Sequence, residues 1–201
     1  SSVHAEGRAA RNCVEQAREE VAALVGAPVE NVIFTSGATE ANNQALRRCD
    51  RPQVVASAIE HPSVLEVSPE DARIPVTADG ITDLNALSEL LKRRGRFVVV
   101  SVMAANNESG VIQPVKGAAE RAHAAGALFH CDAVQAMGRI PFDMGRLGAD
   151  MVTISAHKLG GPKGVGALVL ADGMETETFM RGGGQERKRR GGTENVPGIA
   201  G

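Results

Sequence analysis

The fold class follows from one stretch in the middle of the chain, FVVVSVM at residues 97–103. Its apolar residues follow one another without a polar residue at every second position. This pattern is typical of a β-strand that is covered on both faces, as strands are in parallel sheets with helices on each side. The stretch therefore predicts a buried strand of an α/β domain.

The segments on either side of this stretch alternate between strand-like and helix-like patterns. An amphipathic helix is indicated before Gly26 and Pro28, which end it. Strands are predicted at residues 32–35, 54–57, 128–132, 151–155 and 166–170, and helices at 39–48, 83–94 and 114–125. Because helices separate the strands, we expect a three-layer α/β fold with one mostly parallel sheet between helices. Ligands of such sheets bind at the carboxyl ends of the strands, so the residues that follow each strand are candidates for function.

The composition excludes several classes of function. The chain has 201 residues and a formal net charge of −2, which provides no basic field to attract nucleic acid or anionic lipid. No apolar run approaches the roughly 20 residues that cross a bilayer, so neither nucleic acid nor a membrane is expected as a partner. Cys13, Cys49 and Cys131 form no C-x-x-C pair. This argues against a disulfide framework or a zinc knuckle and favours a reducing cytoplasm.

A candidate anion site follows the first predicted strand, at the turn 36–40. Small residues there lead directly into a helix, and the free N–H groups at a helix start favour a phosphate. Ala38 and Thr39 occupy this position, and the Thr39 hydroxyl adds a donor. Thr39 is equally a candidate for the N-cap of the helix, and the local sequence leaves both interpretations open.

Polar residues also follow other predicted strands. His61 fits either a solvated loop or a functional role, and the amides at 106–110 fit turn chemistry as well as ligand contact. Asp132 ends a strand, where a buried carboxylate needs a cation or hydrogen-bond donors. Alternation places His130 on the same side as Asp132 and Cys131 on the other, where Cys131 is expected to be a small core residue.

The densest polar cluster is SAHK at 155–158, at the end of a predicted strand. Only five of the 22 basic residues are lysines, and Lys158 lies where the sheet would present it to a ligand. An amine with a lowered pKa in a semi-buried site can form a Schiff base with a carbonyl group and then transfer protons. The alternative is a surface lysine before a glycine-rich turn.

Three of these features together match one cofactor, pyridoxal 5′-phosphate. The cofactor requires a phosphate seat such as that at 38–39, a carboxylate such as Asp132 beside its ring nitrogen, and an amine such as Lys158. Asp132 would keep the ring nitrogen protonated, so that the ring accepts electrons from a carbanion at the α-carbon of the substrate. Lys158 would hold the aldehyde and then act as a base, and His61 would stack on the ring.

Six motifs resemble, in order, those of the cysteine desulfurases of the NifS/IscS type, which are class-V aminotransferases of PLP fold type I. They are TSGATEANN (35–43), EH (60–61), NNESG (106–110), HCDAVQ (130–135), SAHK (155–158) and RGGGQER with GTEN (181–187 and 192–195). The resemblance extends over essentially the whole chain. It implies a PLP-binding large domain over residues 1–201.

The resemblance also implies roles for residues around the cofactor ring. Lys158 is implied as the Schiff-base lysine and Asp132 as the partner of the pyridine nitrogen. His61 would stack on the ring and assist proton transfer. Asn107 and Gln135 would contact the phenolic oxygen of the ring.

The phosphate contacts are implied in the same way. Thr39, Ser155 and His157 would hold the phosphate of the cofactor. Thr193, in the glycine-rich basic tail, would reach the phosphate in the other subunit, which implies a homodimer. The alternative for this tail is a solvated flexible loop.

The reaction that the resemblance implies removes sulfur from L-cysteine and leaves L-alanine and an enzyme persulfide. The persulfide sulfur is passed to an acceptor protein, often an iron–sulfur scaffold. Relatives of this type carry a further C-terminal portion with the nucleophilic cysteine, and a short segment before the position of Ser1. We therefore expect a chain truncated at both ends that does not desulfurate cysteine by itself.

Three other functions remain open from the sequence. A selenocysteine lyase or an aminotransferase would share the fold and the cofactor. A metal hydrolase would be built from His61, His130, Asp132 and His157, although their spacing matches no metal motif. A cofactor-free binding module would use none of these residues for chemistry.

Overall fold

One sheet of seven strands organises residues 4–47 and 50–201, the part of the chain that the computed structural model describes. The predicted helix end at Arg48 and the Cys49 thiol lie outside these residues. The strands are β1 (Val32–Thr35), β2 (Gln53–Ser57), β3 (Arg73–Ile74), β4 (Val98–Ser101), β5 (Leu128–Asp132), β6 (Met151–Ser155) and β7 (Gly166–Leu170).

The strand order is β1-β7-β6-β5-β4-β2-β3. Strands β6, β5, β4, β2 and β3 pair in parallel, and β7 is antiparallel to both of its neighbours. The predicted mostly parallel sheet is therefore confirmed. The carboxyl ends of the parallel strands meet at one edge, where the functional site is expected.

Helices cover both faces of this sheet. They are α1 (Ala5–Val25), α2 (Ala38–Leu46), α3 (Pro62–Leu65), α4 (Leu84–Arg94), α5 (Val115–Ala124), α6 (Met144–Leu147) and α7 (Val196–Ala200). Strand β1 shows the two faces, because Val32 and Phe34 pack in one apolar cluster with α1, α4 and α5, whereas Ile33 packs in another with α2 and α3. The three-layer prediction is confirmed. Among the described residues, no helix is long and apolar enough to cross a membrane.

Local chemistry explains why the main elements begin and end where they do. Gly26 ends α1 in a left-handed conformation, with φ 73°, which glycine adopts without a steric penalty. The Asp83 side chain accepts hydrogen bonds from the N–H groups of Asn85 and Ala86 at the start of α4. The strand predictions for β1, β5, β6 and β7 match the structure residue for residue.

The FVVVSVM stretch forms a strand over a shorter range than the sequence predicts. Only Val98–Ser101 is β4, and Phe97 lies before the strand with 51% of its surface exposed. Beyond β4, the Val102 N–H donates to the His130 carbonyl and the Ala104 N–H donates to the Asp132 carbonyl, so the chain stays beside β5 past the end of the strand. The elements β3, α3, α6 and α7 were not predicted, since segments of two to five residues are too short to show a periodicity.

A close approach between two backbones holds the turn after β1 against the sheet. A Cβ atom on Gly166 of β7 would lie 2.7 Å from the Gly37 carbonyl carbon and 2.8 Å from the Ile154 oxygen. Only glycine fits at this point, so Gly166 lets the turn that begins α2 pack directly on β7.

Candidate active site

A cavity of about 520 Å³ opens at the carboxyl ends of the parallel strands. It is lined by Ser36–Glu40 after β1, His61 after β2, Met103 and Asn107 after β4, Asp132, Val134 and Gln135 at the end of β5, Ser155, His157 and Lys158 at the end of β6, and Lys163 and Gly164 before β7. Every predicted cofactor contact except Thr193 is among these residues. The residues that follow the predicted strands therefore meet in one cavity, and their roles at a cofactor stay predictions.

Thr193 lies away from this cavity, exposed on the tail that follows the turn Gln185–Lys188. Thr193 is predicted to reach the cofactor of a second subunit. Its position outside the cavity of its own chain does not test that prediction. The tail itself is anchored: the Glu186 side chain is buried and pairs with Arg18 at 2.7 Å. This contact disfavours the alternative of a solvated flexible loop.

Asp132 lies in the wall of the cavity with 5% of its surface exposed. The Asn42 amide donates to Asp132 Oδ2 at 2.9 Å, and the Val134 N–H donates to Oδ1 at 3.0 Å. Burial raises the pKa of the Asp132 carboxyl, and these two hydrogen bonds oppose the rise because they favour the charged form. The expectation that this carboxylate needs permanent partners is confirmed, and the partners are hydrogen-bond donors.

Asn42 connects Asp132 to His61. Its amide nitrogen also donates to Ser63 Oγ at 2.9 Å, and that hydroxyl lies 2.8 Å from His61 Nδ1. The Ser63 N–H donates to the same nitrogen at 3.1 Å, so His61 Nδ1 is an acceptor and the neutral ring carries its proton on Nε2. His61 is exposed and caps α3 while it lines the cavity. It is thus held in place rather than freely solvated.

A second buried carboxyl lies next to Asp132. Glu60 is 4% exposed, and its Oε1 accepts a hydrogen bond from the Met103 N–H, while Oε2 has no partner among the described residues. Burial, together with the negative charge of Asp132, raises the pKa of Glu60 well above its usual value. Glu60 is therefore protonated more readily than an exposed glutamate would be.

The opposite wall of the cavity has the donors of an anion site. Gly37 is the N-cap of α2 and Thr39 lies inside the first turn, so the interpretation of Thr39 as the N-cap is wrong. Thr39 is exposed, which leaves its hydroxyl available. Ser155 and His157 line the same cavity; Ser155 is buried and its Oγ lies 2.9 Å from His157 Nδ1. A helix start, two hydroxyls and an imidazole therefore meet in one place.

Lys158 lies in a short 3₁₀ turn, Ala156–Lys158, directly after β6. Its carbonyl accepts a hydrogen bond from Arg139 Nη2 at 3.0 Å, which fixes the turn. The residue is exposed, whereas the sequence interpretation expected a semi-buried amine. The expectation was wrong because the cavity is open on the side of this turn.

The two asparagines after β4 have different roles. Asn106 Oδ1 accepts hydrogen bonds from the N–H groups of Glu108 and Ser109, at 3.0 and 2.9 Å, so this residue builds the turn. Its neighbour Asn107 is exposed and lines the cavity. The interpretation as turn chemistry is confirmed for Asn106, and ligand contact by Asn107 stays a prediction.

Behind the cavity, His130 joins three strands. Its Nδ1 lies 2.9 Å from Ser101 Oγ of β4, and its Nε2 lies 3.0 Å from Thr153 Oγ1 of β6. The ring is fully buried, and burial lowers its pKa to about 3. Both nitrogens are engaged, which argues against the metal hydrolase. Cys131 faces the other side and packs in the apolar core, as predicted.

Comparisons with known proteins agree with this geometry. The sequence pattern described as Aminotransferase class-V matches residues 1–201. The chain belongs to the class-V aminotransferase family. A cysteine desulfurase of Cereibacter sphaeroides is 45% identical over the whole chain, which spans 55% of that protein. The cysteine desulfurase IscS of Dictyoglomus turgidum is 40% identical over the whole chain, which spans 54% of it.

Solved structures show the same likeness. A NifS-like protein from Rickettsia africae superposes with a TM-score of 0.91 at 38% identity, over 100% of this chain and 58% of that one. DndA from Streptomyces lividans superposes with a TM-score of 0.81 at 40% identity, over 100% of this chain and 61% of that one. The class-V aminotransferase chain therefore spans a little over half the length of these relatives. The resemblance to NifS/IscS-type proteins is confirmed.

The residues that this class-V aminotransferase chain brings together fit pyridoxal 5′-phosphate. The phosphate needs hydrogen-bond donors, and the ring nitrogen needs a buried carboxylate. The start of α2 with Ser155 and His157 meets the first need, and Asp132 meets the second. Lys158 lines the same cavity and would provide the amine.

Sequence reasoning missed several residues that hold this site together. They are Asn42 and Ser63, which connect His61 to Asp132, the buried carboxyl Glu60, and the pair formed by Glu40 and Arg190. The signal that could have found Asn42 and Glu40 is a polar side chain on the buried face of a short helix. Such a side chain needs a partner.

Proposed function

We propose that this class-V aminotransferase chain is the PLP-binding large domain, residues 1–201, of a cysteine desulfurase. The enzyme would convert L-cysteine to L-alanine and pass the persulfide sulfur to an acceptor protein for iron–sulfur cluster assembly. One observation carries the proposal. Asp132 and Lys158, which end or follow the adjacent parallel strands β5 and β6, line the same cavity as the start of α2.

The bound cofactor would supply an aldehyde that carries the amino group of the substrate and a ring that draws electrons from its α-carbon. Asp132 would hold a proton on the ring nitrogen. Its two hydrogen-bond donors, the Asn42 amide and the Val134 N–H, favour the charged carboxylate that this role needs.

Lys158 would hold the aldehyde in the absence of substrate and would take up a proton from the α-carbon once an amino acid has replaced it. His61 would lie against the ring and present an N–H on Nε2, because Ser63 engages Nδ1. Asn107 and Gln135, both in the cavity lining, would contact the phenolic oxygen. These three side chains orient the ring while Lys158 moves the proton.

The phosphate would be held by Thr39, Ser155 and His157 together with the backbone N–H groups of Ala38 and its neighbours. The hydrogen bond between Ser155 and His157 orients both side chains before the phosphate arrives. We also propose a homodimer in which Thr193 reaches the phosphate in the second subunit; the exposed position of Thr193 supports this. The free thiols of Cys13 and Cys131 support a cytoplasmic location.

The experiment that tests the cofactor is the visible absorbance of the purified chain after incubation with pyridoxal 5′-phosphate. Amino-acid side chains do not absorb visible light, so the colour of the bound cofactor is measured without a protein background. We expect a yellow colour that survives gel filtration and is lost in Lys158→Ala. The matched control is Lys116→Ala, an exposed lysine on α5, which should keep the colour.

Titration of the coloured chain with amino acids tests the substrate. L-cysteine should change the spectrum at lower concentrations than L-alanine does, and a preference for L-selenocysteine would favour the selenocysteine lyase instead. A 2-oxo acid that restores the original spectrum would favour an aminotransferase. A colourless chain, or colour retained by Lys158→Ala, would overturn the proposed function.

A further inference from the structure

An ion pair ties the start of α2 to the basic tail. Arg190 Nε donates to Glu40 Oε1 at 2.8 Å and Nη2 donates to Oε2 at 3.1 Å, a two-point contact of planar groups. Both side chains are largely buried, with 7% of Glu40 and 14% of Arg190 exposed. The two residues are 150 positions apart in the sequence.

Glu40 also shapes the turn that leads into α2. Its Oε2 accepts a hydrogen bond from the Ser36 N–H at 2.9 Å, so the carboxylate closes the turn around Gly37. Burial alone would raise the pKa of Glu40, but the hydrogen bonds from Arg190 and Ser36 lower it below its usual value. The carboxyl is therefore ionised at neutral pH.

A negative charge at this place opposes the binding of a phosphate. Glu40 lines the same cavity wall as Ala38 and Thr39, in the first turn of the helix that would receive the anion. Like charges a few ångströms apart repel strongly where water is partly excluded. The Glu40 carboxylate stabilises the turn through its hydrogen bond with the Ser36 N–H. For the turn to bind an anion, the negative charge of Glu40 must be neutralised.

The basic tail holds the positive charge of Arg190 in the position where it neutralises Glu40. The Gln44 amide of α2 donates to the Arg189 carbonyl at 3.0 Å, and the Gly191 N–H donates to the Met180 carbonyl at 2.7 Å. These contacts hold the backbone on both sides of Arg190. Its guanidinium therefore meets Glu40 from a fixed position, with little side-chain entropy left to lose.

We propose that Arg190 is a positioning residue of the phosphate seat, which neutralises Glu40 so that the turn binds a phosphate dianion. This inference rests on the proposed function. It predicts that Arg190→Gln weakens binding of pyridoxal 5′-phosphate about tenfold, and that the double variant Glu40→Gln/Arg190→Gln recovers most of the loss. Recovery is expected because the amide that replaces the Glu40 carboxylate has no charge to repel the phosphate and can still accept from the Ser36 N–H.

The test compares the affinities for pyridoxal 5′-phosphate and for pyridoxal, which lacks the phosphate, in the 201-residue chain. The expected result is a weaker affinity of Arg190→Gln for pyridoxal 5′-phosphate alone, with recovery in the double variant. The matched control is Arg187→Gln, which removes a positive charge from the same tail, 3.9 Å from Glu15 and outside the cavity lining. This control should bind both compounds as the unmodified chain does.

Equal weakening for both compounds, or a double variant as weak as Arg190→Gln, would overturn the inference, since it would indicate a purely structural role. Inorganic phosphate separates this failure from failure of the proposed function. If the unmodified chain binds neither pyridoxal compound, the proposed function fails. The inference would still be supported if phosphate stabilises the unmodified chain against heat, Arg190→Gln loses this stabilisation, and the double variant regains it. Absence of that pattern would overturn it as well.

Discussion

His130 should make the folded chain sensitive to acid, and replacing it should remove that sensitivity. The imidazole is fully buried between Ser101 and Thr153, and burial lowers its pKa to about 3 in the folded state. In the unfolded chain a histidine titrates near 6.5. Between these two values the unfolded state binds one proton more than the folded state does, so stability falls as the pH falls.

The size of this effect follows from the two pKa values. Each pH unit below 6.5 costs about 1.4 kcal/mol of unfolding free energy until the folded state also takes up the proton near pH 3. Between pH 7.5 and pH 5 the loss from His130 is therefore about 2 kcal/mol. Asp132 and Glu60 act in the opposite direction: their pKa values are raised in the folded state, so acid stabilises it through them.

Because these carboxyls mask the histidine in the total pH dependence, the comparison must be made between variants. We expect His130→Gln to be less stable than the unmodified chain at pH 7.5, since it loses part of its contact with Ser101 or Thr153. The gap between the two chains should shrink by about 2 kcal/mol at pH 5. Urea unfolding followed by circular dichroism measures both gaps, and His4→Gln, at an exposed position, is the control for loss of a histidine. An equal gap at both pH values would refute the reasoning.

Two further predictions concern Glu60 and Gly166. Glu60→Gln should be at least as stable as the unmodified chain at pH 8, because the amide still accepts from the buried Met103 N–H and cannot ionise. Glu60→Ala should lose about 1–3 kcal/mol of unfolding free energy, because it leaves that N–H unpaired. Urea unfolding at pH 8 measures both variants, and a Gln variant less stable than the Ala variant would contradict the argument. Gly166→Ala should lose about 1–3 kcal/mol of unfolding free energy and bind pyridoxal 5′-phosphate more weakly, since its Cβ would lie 2.7 Å from the Gly37 backbone. The control Gly145→Ala, whose Cβ would lie 3.5 Å from its nearest neighbour, should change neither property. Equal effects at both glycines would contradict the argument from the close approach of Gly166 to Gly37.

The sequence predicted which residues line the cavity because parallel α/β sheets gather the residues that follow their strands at one edge. Ala38, His61, Asp132 and Lys158 were recognised one strand end at a time, and the sheet order brings those ends together. The pairing that connects them was not predictable, because a hydrogen bond such as that between Asn42 and Asp132 joins residues 90 positions apart. Burial of individual groups was also missed, as the exposed position of Lys158 demonstrates.

What the sequence by itself determined are the properties that depend on neighbouring residues: strand and helix patterns, the turn that starts α2, and the polar residue types at the strand ends. These follow from backbone sterics and from the burial of apolar faces, which act over a few residues. The tertiary structure alone decided the raised pKa of Glu60 and the pairing of Glu40 with Arg190. Both depend on which distant groups exclude water and supply opposite charge at one point in space, and only the folded chain brings those groups there.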